Sequence, residues 1–218
     1  MDLCLVFEVC DTVVFDLDGT LVDSSLDITN AAVLAARQHG LAAFDANSVK
    51  PLIGQPPHEF FRHLVDDEEL PEIVSTFRTE LAELSDSQTR VAPGALDFLQ
   101  FCREKGKLLA VASNKTETLI HLTLERLDLL QFFTILVGTD NLPPKPHPET
   151  ILAAMEDCRS KRGMMIGDTW MDITAGHNAG VTTVAISALS PHPDKLTEAH
   201  YVAESMGQLT ALLRAGEK

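Results

Sequence analysis

Short apolar runs alternate with longer amphipathic stretches along most of the chain. The runs of apolar or β-branched residues lie at 12–15, 107–112, 132–137, 163–166 and 181–186. Near-continuous apolar runs of this length are typical of strands that are covered on both faces, as in a parallel sheet. Helical patterns separate these runs, at 94–105, 116–130, 148–158 and 169–179. The alternation predicts an α/β fold built on a doubly wound parallel sheet.

Residues 22–85 break this alternation. They carry only helical patterns, at 24–39, 45–53, 57–64 and 68–84. An all-helical insert after the first strand predicts a small cap domain over 22–85, with 1–21 and 86–218 forming the core domain. Its hinges are expected at 21–24 and 85–91. The first ten residues fit neither pattern, and the sequence suggests for them no more than an extension of the first strand.

Composition narrows the class of protein. With 218 residues and 45% apolar content, the chain can form one sizeable core and a small satellite domain. It has no apolar run of about 18 residues, and an acid stands where a secretory signal carries positive charge, so we expect a cytoplasmic protein without a membrane partner. Four scattered cysteines without a CxxC pair indicate reduced thiols.

Charge narrows the class of partner. The net charge of −15 gives an overall field that repels nucleic acid and anionic membranes, so neither is expected as a partner. A phosphorylated substrate would be repelled as well, and a phosphate site therefore has to supply positive charge locally. The sequence leaves open whether the chain is a monomer or a homodimer.

Two aspartates end the first apolar run. In VVFDLDGTLVDSS, Asp16 and Asp18 point to the same side of an extended chain, and Gly19 then permits a sharp turn. In MIGDTWMD, Asp168 and Asp172 follow another predicted strand. Burying carboxylates without a partner costs several kcal/mol or forces protonation, so the group requires a compensating cation or a chemical use. Oxygen ligands without histidine or cysteine favour Mg²⁺ over zinc or copper.

The groups that a phosphate needs follow two other predicted strands. VASNK contributes Ser113, Asn114 and Lys115, which offer a hydroxyl, an amide and free backbone N–H groups at a helix start. Lys145 lies in NLPPKPHPE, a loop stiffened by prolines. All of these residues come after the carboxyl ends of strands, where ligands bind in open α/β sheets.

These stretches resemble the motifs of a known family. DLDGT, SNK, KPHPE and GDTWMD, in this order, resemble the four motifs of the haloacid dehalogenase-like (HAD) superfamily of phosphatases. PLIGQPP, VAPGALDFL and GVTTVAI resemble its phosphoglycolate phosphatase branch, so the resemblance covers nearly the whole chain. It implies a Rossmann-like core with a cap. It also implies a Mg²⁺-dependent phosphatase that acts on a small phosphorylated metabolite, phosphoglycolate first, through an aspartyl-phosphate.

The resemblance further implies roles for single residues. Asp16 is the expected nucleophile, and Asp18 is the expected general acid and base. Lys145 is expected to stabilise the nucleophile and the transferring phosphoryl group. The expected Mg²⁺ ligands are Asp16, Asp168 and the backbone carbonyl of Asp18, with Asp172 as a further ligand or as support behind them. The expected substrate contacts are Gly19, Thr20, Ser113 and Asn114 in the core, and Gln55 and His58 in the cap.

Other functions compete with this interpretation. DLDGTLVDSSLD could form a calcium loop, but Leu21 stands where that loop requires glycine. Asp18 disfavours a dehalogenase, since relatives with that chemistry lack the second acid. A phosphosugar mutase shares the core motifs, but GQPP at 54–57 lacks the arginine that such relatives place after the cap glycine. A pyrophosphatase or nucleotidase stays open, and the intact motifs argue against a regulatory module that binds without turnover.

Overall fold

The five apolar runs form neighbouring strands of one parallel sheet. The computed structural model describes residues 2–84 and 88–216. The strands in chain order are β1 (Thr12–Phe15), β2 (Val22–Asp23), β3 (Arg90–Val91), β4 (Leu108–Ala112), β5 (Ile135–Val137), β6 (Gly163–Gly167), β7 (Thr182–Ile186) and β8 (Tyr201–Ala203). Strands β2 and β3 pair as a separate antiparallel ribbon. The other six form one sheet in the order β5-β4-β1-β6-β7-β8, with every neighbouring pair parallel.

The order of the strands places the crevice of the sheet beside β1. The chain moves outward from β1 through β4 to β5 and then returns to β6, on the other side of β1. Phe15, the last residue of β1, is level with Val111 of β4 and Ile166 of β6. The residues that follow these three strands therefore meet at one edge. In open α/β sheets this reversal point is where ligands bind.

Helices cover both faces of the sheet. Phe15 packs with Phe98 on one face, whereas its neighbour Val14 packs with Ile151 on the other. Burial on both faces explains why the strands lack a polar side, and it confirms the doubly wound α/β fold predicted from the sequence. The helices in chain order are α1 (Leu3–Val9), α2 (Ser25–Gln38), α3 (Ala46–Val49), α4 (Pro57–Phe61), α5 (Leu70–Leu84), α6 (Ala95–Glu104), α7 (Glu117–Arg126), α8 (Glu149–Asp157), α9 (Trp170–Asn178) and α10 (Met206–Ala215).

The helices α2 to α5 are held together by one hydrophobic cluster. The two longest, α2 and α5, pack against each other. Within the cluster, contacting phenylalanine rings have centroids 5.5–6.1 Å apart; the rings are those of Phe44, Phe60, Phe61 and Phe77. The domain bounds predicted around this segment stay a prediction, and the second hinge falls partly on residues 85–87, which lie outside the described residues.

The first ten residues differ from the sequence expectation. Residues 3–9 form the helix α1 and do not extend the first strand. Asp2 caps this helix by accepting the backbone N–H of Cys4 at 2.8 Å. Phe7 stacks on Phe101 of α6 with ring centroids 5.5 Å apart. A helix of seven residues is too short to form alone, so its packing on α6 and α10 stabilises it, and the local sequence does not show that packing.

Smaller differences concern where elements end. The helix expected over 116–130 ends at Arg126, and the one expected over 45–53 ends at Val49, where a 3₁₀ turn at Lys50–Leu52 follows. Pro51 explains why the helix ends at Val49, since proline lacks the N–H that an α-helix would need there. The ribbon strands β2 and β3, the final strand β8 and helix α10 are not among the predicted elements, and β2 lies at the start of the segment that was expected to be all helical.

Two expectations for the chain as a whole concern membranes and thiols. In the described ranges, no helix is both long enough and apolar enough to cross a bilayer. The four cysteines are free thiols, and three of them are buried. The scattered cysteine spacing thus corresponds to reduced side chains without a disulfide framework.

Phe61→Ala tests the cluster that holds α2 to α5 together. Phe61 is fully buried, so its truncation leaves a cavity, and we expect the free energy of unfolding to fall by about 3–5 kcal/mol. Leu26→Ala on the exposed side of α2 is the control, with an expected change within about 0.5 kcal/mol. Urea unfolding followed by circular dichroism measures both. Losses of similar size in the two variants would contradict a packed cluster around Phe61.

Candidate active site

Three strand ends supply the candidate site. Asp16 follows β1, Ser113 follows β4 and Asp168 follows β6, so the level ends of these strands bring together residues that are far apart in the sequence. Lys145 comes from the loop between β5 and α8, and Asp172 comes from the first turn of α9. All five residues are buried.

Three carboxylates form the centre of the site. Asp16, Asp168 and Asp172 each place one carboxylate oxygen within 4.8 Å of the other two. Asp172 also caps α9, because its Oδ2 accepts the backbone N–H of Thr169 at 2.9 Å, while Thr169 Oγ1 accepts the N–H of Asp172. One of the three acids is therefore held in place by the helix that carries it.

Lys145 bridges two of these acids. Its Nζ donates to Asp16 Oδ1 at 2.6 Å and to Asp172 Oδ1 at 2.5 Å. It also donates to the carbonyl oxygen of Ala112, at the end of β4, at 2.9 Å. The ammonium is thus fixed by three acceptors from three segments of the chain.

Asn114 holds the loop that carries Lys145. Its Oδ1 accepts the backbone N–H of Lys145 at 2.8 Å, and its Nδ2 donates to the carbonyl oxygen of Gly54 at 3.3 Å. The sequence assigned Asn114 to the substrate. In the structure both ends of the amide contact protein, so Asn114 positions Lys145. Asn114 also borders the cavity, and its contact with the substrate stays a prediction.

Asp18 is held by a second lysine. Its Oδ1 accepts hydrogen bonds from Ser24 Oγ and from Lys115 Nζ, the latter at 2.6 Å. Sequence reasoning used only the backbone N–H of Lys115 and missed its charged role. The available signal was the position of Lys115 just after a buried strand, at the sheet edge where the acids were expected. The two aspartates of the DLD stretch thus have separate lysines, Lys145 for Asp16 and Lys115 for Asp18.

Gly19 and Thr20 contact Asp168. A Cβ on Gly19, whose φ is +80°, would lie 2.2 Å from Asp168 Oδ2, so glycine is needed for this close approach. Thr20 Oγ1 donates to Asp168 Oδ1 at 3.0 Å. The sequence expected both residues to contact the substrate. In the structure they contact and orient a carboxylate of the central group, and their contact with the substrate stays a prediction.

A cavity of about 40 Å³ lies between the strand ends and the helical segment. Ser113 and Gln55 border it, in keeping with their assignment as substrate contacts. His58 is not among its lining residues, and its ring lies 3.2 Å from Glu59 with 37% of the side chain exposed. His58 turns outward because the cavity side of α4 is taken by Pro57 and Phe60. His58 therefore does not border the cavity in this arrangement, and its expected contact with the substrate stays a prediction.

Burial and mutual repulsion oppose ionisation of the central acids. Burial is the main cause that raises the pKa of Asp16 to about 7; Lys145 acts against it, and Asp172 adds to it. Burial also raises the pKa of Asp168 well above its usual range, and the charges of Asp16 and Asp172 raise it further. Burial by itself lowers the pKa of Lys145, but the two carboxylates outweigh it and the pKa is raised. Three carboxylates and one ammonium leave two negative charges when all are ionised.

This excess charge fits a divalent cation. The three carboxylates offer oxygen ligands, which is the donor chemistry that Mg²⁺ prefers. Asp16, Asp168 and Asp172 are the residues that would hold the ion. Lys145 neutralises only part of the group, so a metal would relieve the remaining repulsion.

Comparison with known proteins identifies the family. A family model described as haloacid dehalogenase-like hydrolase matches residues 13–186. The chain belongs to this family and is a hydrolase, which confirms the resemblance seen in its motifs. Phosphoglycolate phosphatase of Aquifex aeolicus is 33% identical over 174 residues, covering 78% of this chain and 82% of the relative. Pyrophosphatase PpaX of Bacillus mycoides is 30% identical over 185 residues, covering 81% of this chain and 83% of the relative.

Solved structures share the fold at lower identity. A hydrolase of the haloacid dehalogenase-like family from Streptococcus pneumoniae has a TM-score of 0.82 at 24% identity, covering 93% of this chain and 97% of its own. β-Phosphoglucomutase from Clostridium difficile has a TM-score of 0.79 at 18% identity, covering 96% of this chain and 99% of its own. Matches of this extent include the helical segment as well as the sheet.

Asp168→Asn tests whether the acid group needs a cation. Because its pKa is raised to about 7, the Asp16 carboxyl stabilises the metal-free fold at low pH, and this stabilisation is lost as the pH rises through about 7. The raised pKa of Asp168 acts in the same direction. Removing one charge should therefore raise the melting temperature of the metal-free protein at pH 8. Mg²⁺ at about 100 times its Kd should raise the melting temperature of the wild type by roughly 5–10 °C. The variant should respond far less.

Calorimetry in EDTA and in Mg²⁺ measures these effects. Glu125→Gln, on the exposed side of α7, is the control because it removes one negative charge away from the site. It should respond to Mg²⁺ as the wild type does. An equal Mg²⁺ response in Asp168→Asn would place the ion elsewhere.

Proposed function

We propose that the chain is a Mg²⁺-dependent phosphatase that hydrolyses a small phosphomonoester through an aspartyl-phosphate at Asp16. The observation that carries the proposal is the pair of acids Asp16 and Asp18, which border one cavity and are held by separate lysines. Because the overall charge is strongly negative, these lysines supply the local positive charge that a phosphorylated substrate requires. The name of the Aquifex aeolicus relative supports the same reaction class.

Asp16 is the nucleophile and Asp18 is the general acid and base. A carboxylate oxygen of Asp16 attacks phosphorus, and the bond from phosphorus to the ester oxygen breaks with its electron pair on that oxygen. Asp18 donates a proton to the leaving alcohol. Asp18 then accepts a proton from water, which attacks the phosphoryl group, restores the Asp16 carboxylate and releases inorganic phosphate. Both side chains border the same cavity, so one substrate can reach both.

Positive charge makes the attack of an anion on an anion feasible. Lys145 lies 2.6 Å from the attacking carboxylate, where its positive charge offsets part of the repulsion between that carboxylate and the phosphoryl group. Ser113, buried at the end of β4, donates its hydroxyl to one of those oxygens. When bound by the central acids, Mg²⁺ supplies further positive charge at the phosphoryl group.

The helices α2 to α5 act as a cap that excludes water during the reaction. The segment contacts the core at Gly54, whose carbonyl accepts from Asn114, and at Pro51, whose carbonyl lies 3.0 Å from His192 Nε2. A closed cap strengthens electrostatic interactions inside the cavity. It must open to admit the substrate and to release the products.

Three alternative functions have weaker support. The likeness to β-phosphoglucomutase concerns the fold, and Gln55 is the polar side chain that the described cap residues place at the cavity, where a mutase would need a cation for its sugar phosphate. A module that binds without turnover would not need Asp18 beside Asp16. Hydrolysis of pyrophosphate, suggested by the name of the Bacillus mycoides relative, requires the same core residues.

Asp16→Asn tests the nucleophile. An amide cannot form the aspartyl-phosphate, so kcat should fall by on the order of 10⁴-fold or more. The assay is hydrolysis of p-nitrophenyl phosphate with Mg²⁺ and with EDTA, where the wild type should turn over only with the metal. An unchanged melting temperature or a modest rise would show that the fold is retained. A variant that works near the wild-type rate would remove Asp16 from this role.

Asp18→Asn tests the general acid. We expect kcat/KM to fall by about 10²–10⁴-fold for an alkyl phosphate, whose alkoxide leaves poorly without a proton. The fall should be smaller for p-nitrophenyl phosphate, since its phenolate leaves without help. Steady-state assays of both esters give the ratio of the two losses. Equal losses would contradict proton donation by Asp18.

A further inference from the structure

The cap side of the cavity is almost entirely apolar. Core residues that border the cavity are charged or polar, whereas the cap contributes hydrocarbon side chains from α2, α4 and α5. These apolar residues are Ile28, Pro57, Phe60, Phe77 and Leu81. Gly54 and Gln55 complete the described lining on this side, with the Gln55 amide as its polar group. The leaving group of a substrate that is attacked by Asp16 has to lie against this surface.

The cap places no described cation at the cavity. Its segment has four lysines and arginines, and all four are exposed and lie outside the lining: Arg37, Lys50, Arg62 and Arg78. Residues 85–87, which the structure does not describe, are Ser-Asp-Ser and cannot supply a cation. On the core side, the ammonium of Lys115 is engaged by Asp18.

We propose that the substrate is a phosphomonoester of a short, uncharged and largely apolar alcohol. This inference rests on the proposed phosphatase function and deepens it. A carboxylate or phosphate on the leaving group would lie against hydrocarbon on the cap side, where the Gln55 amide is the one polar group among the described lining residues and no cation offsets the charge, and that is strongly unfavourable. Phosphoglycolate and pyrophosphate both carry such an anion, so they should be poor substrates. The apolar surface instead favours an alkyl leaving group, since each methylene buried there increases the binding constant by a factor of about 4.

A matched pair of substrates isolates the leaving group. Ethyl phosphate and phosphoglycolate have the same phosphoester end and differ in a methyl group against a carboxylate. We expect kcat/KM with Mg²⁺ to be at least about 10-fold higher for ethyl phosphate. Pyrophosphate should also be slower than ethyl phosphate. A preference for phosphoglycolate or pyrophosphate would overturn the inference and would indicate that Lys115 turns from Asp18 to the leaving group.

Gln55→Arg tests the surface from the protein side. Gln55 is half-buried at the cavity, so a guanidinium there would face the leaving group. The ratio of kcat/KM for phosphoglycolate to that for ethyl phosphate should rise by about 10-fold or more. Gln55→Met, which is neutral and of similar size, is the control and should not raise the ratio. An unchanged ratio in Gln55→Arg would contradict the location of the leaving group.

The same assays separate this inference from the proposed function. If the wild type hydrolyses p-nitrophenyl phosphate but prefers phosphoglycolate to ethyl phosphate, the inference fails and the phosphatase function stands. If it hydrolyses none of these esters with Mg²⁺, the proposed function fails and the inference fails with it. Faster hydrolysis of ethyl phosphate than of phosphoglycolate, reversed or reduced by Gln55→Arg, supports both.

Discussion

The site depends on the repulsion among three buried carboxylates and on the positive charge that offsets it. Asp16, Asp168 and Asp172 lie within reach of one ion, and Lys145 contacts two of them. One ammonium leaves two negative charges uncompensated, so the arrangement is unfavourable until a cation binds. That deficit connects fold and function, because a cation that relieves it would also offset the repulsion between a phosphate dianion and the carboxylate that we propose as the nucleophile.

Neighbouring residues hold this strained group in one geometry. Gly19 allows Asp168 to approach, Thr20 orients it, and Thr169 fixes Asp172 as part of a helix cap. Asn114 holds the loop that delivers Lys145. Several residues of the motifs thus act on other protein groups, so the parallel sheet supplies positions and these contacts supply orientation.

The sequence could predict the elements whose signals are local. Apolar runs located five of the six strands, and strand ends located Asp16, Ser113 and Asp168, because parallel strands in this order must end together. It could not predict partners set by tertiary packing. The pairing of Lys115 with Asp18 and the contact of Asn114 with the Lys145 loop both depend on how distant loops meet. Helix α1 was missed for the same reason, since its stability comes from α6 and α10.

A crystal structure grown with Mg²⁺ and a phosphate mimic such as orthovanadate tests the central claim most directly. The account predicts one ion about 2.0–2.1 Å from carboxylate oxygens of Asp16 and Asp168. It also predicts the mimic between the ion, Lys145 and Asp16. An ion bound elsewhere, or the three carboxylates turned away from one another around an empty centre, would contradict it.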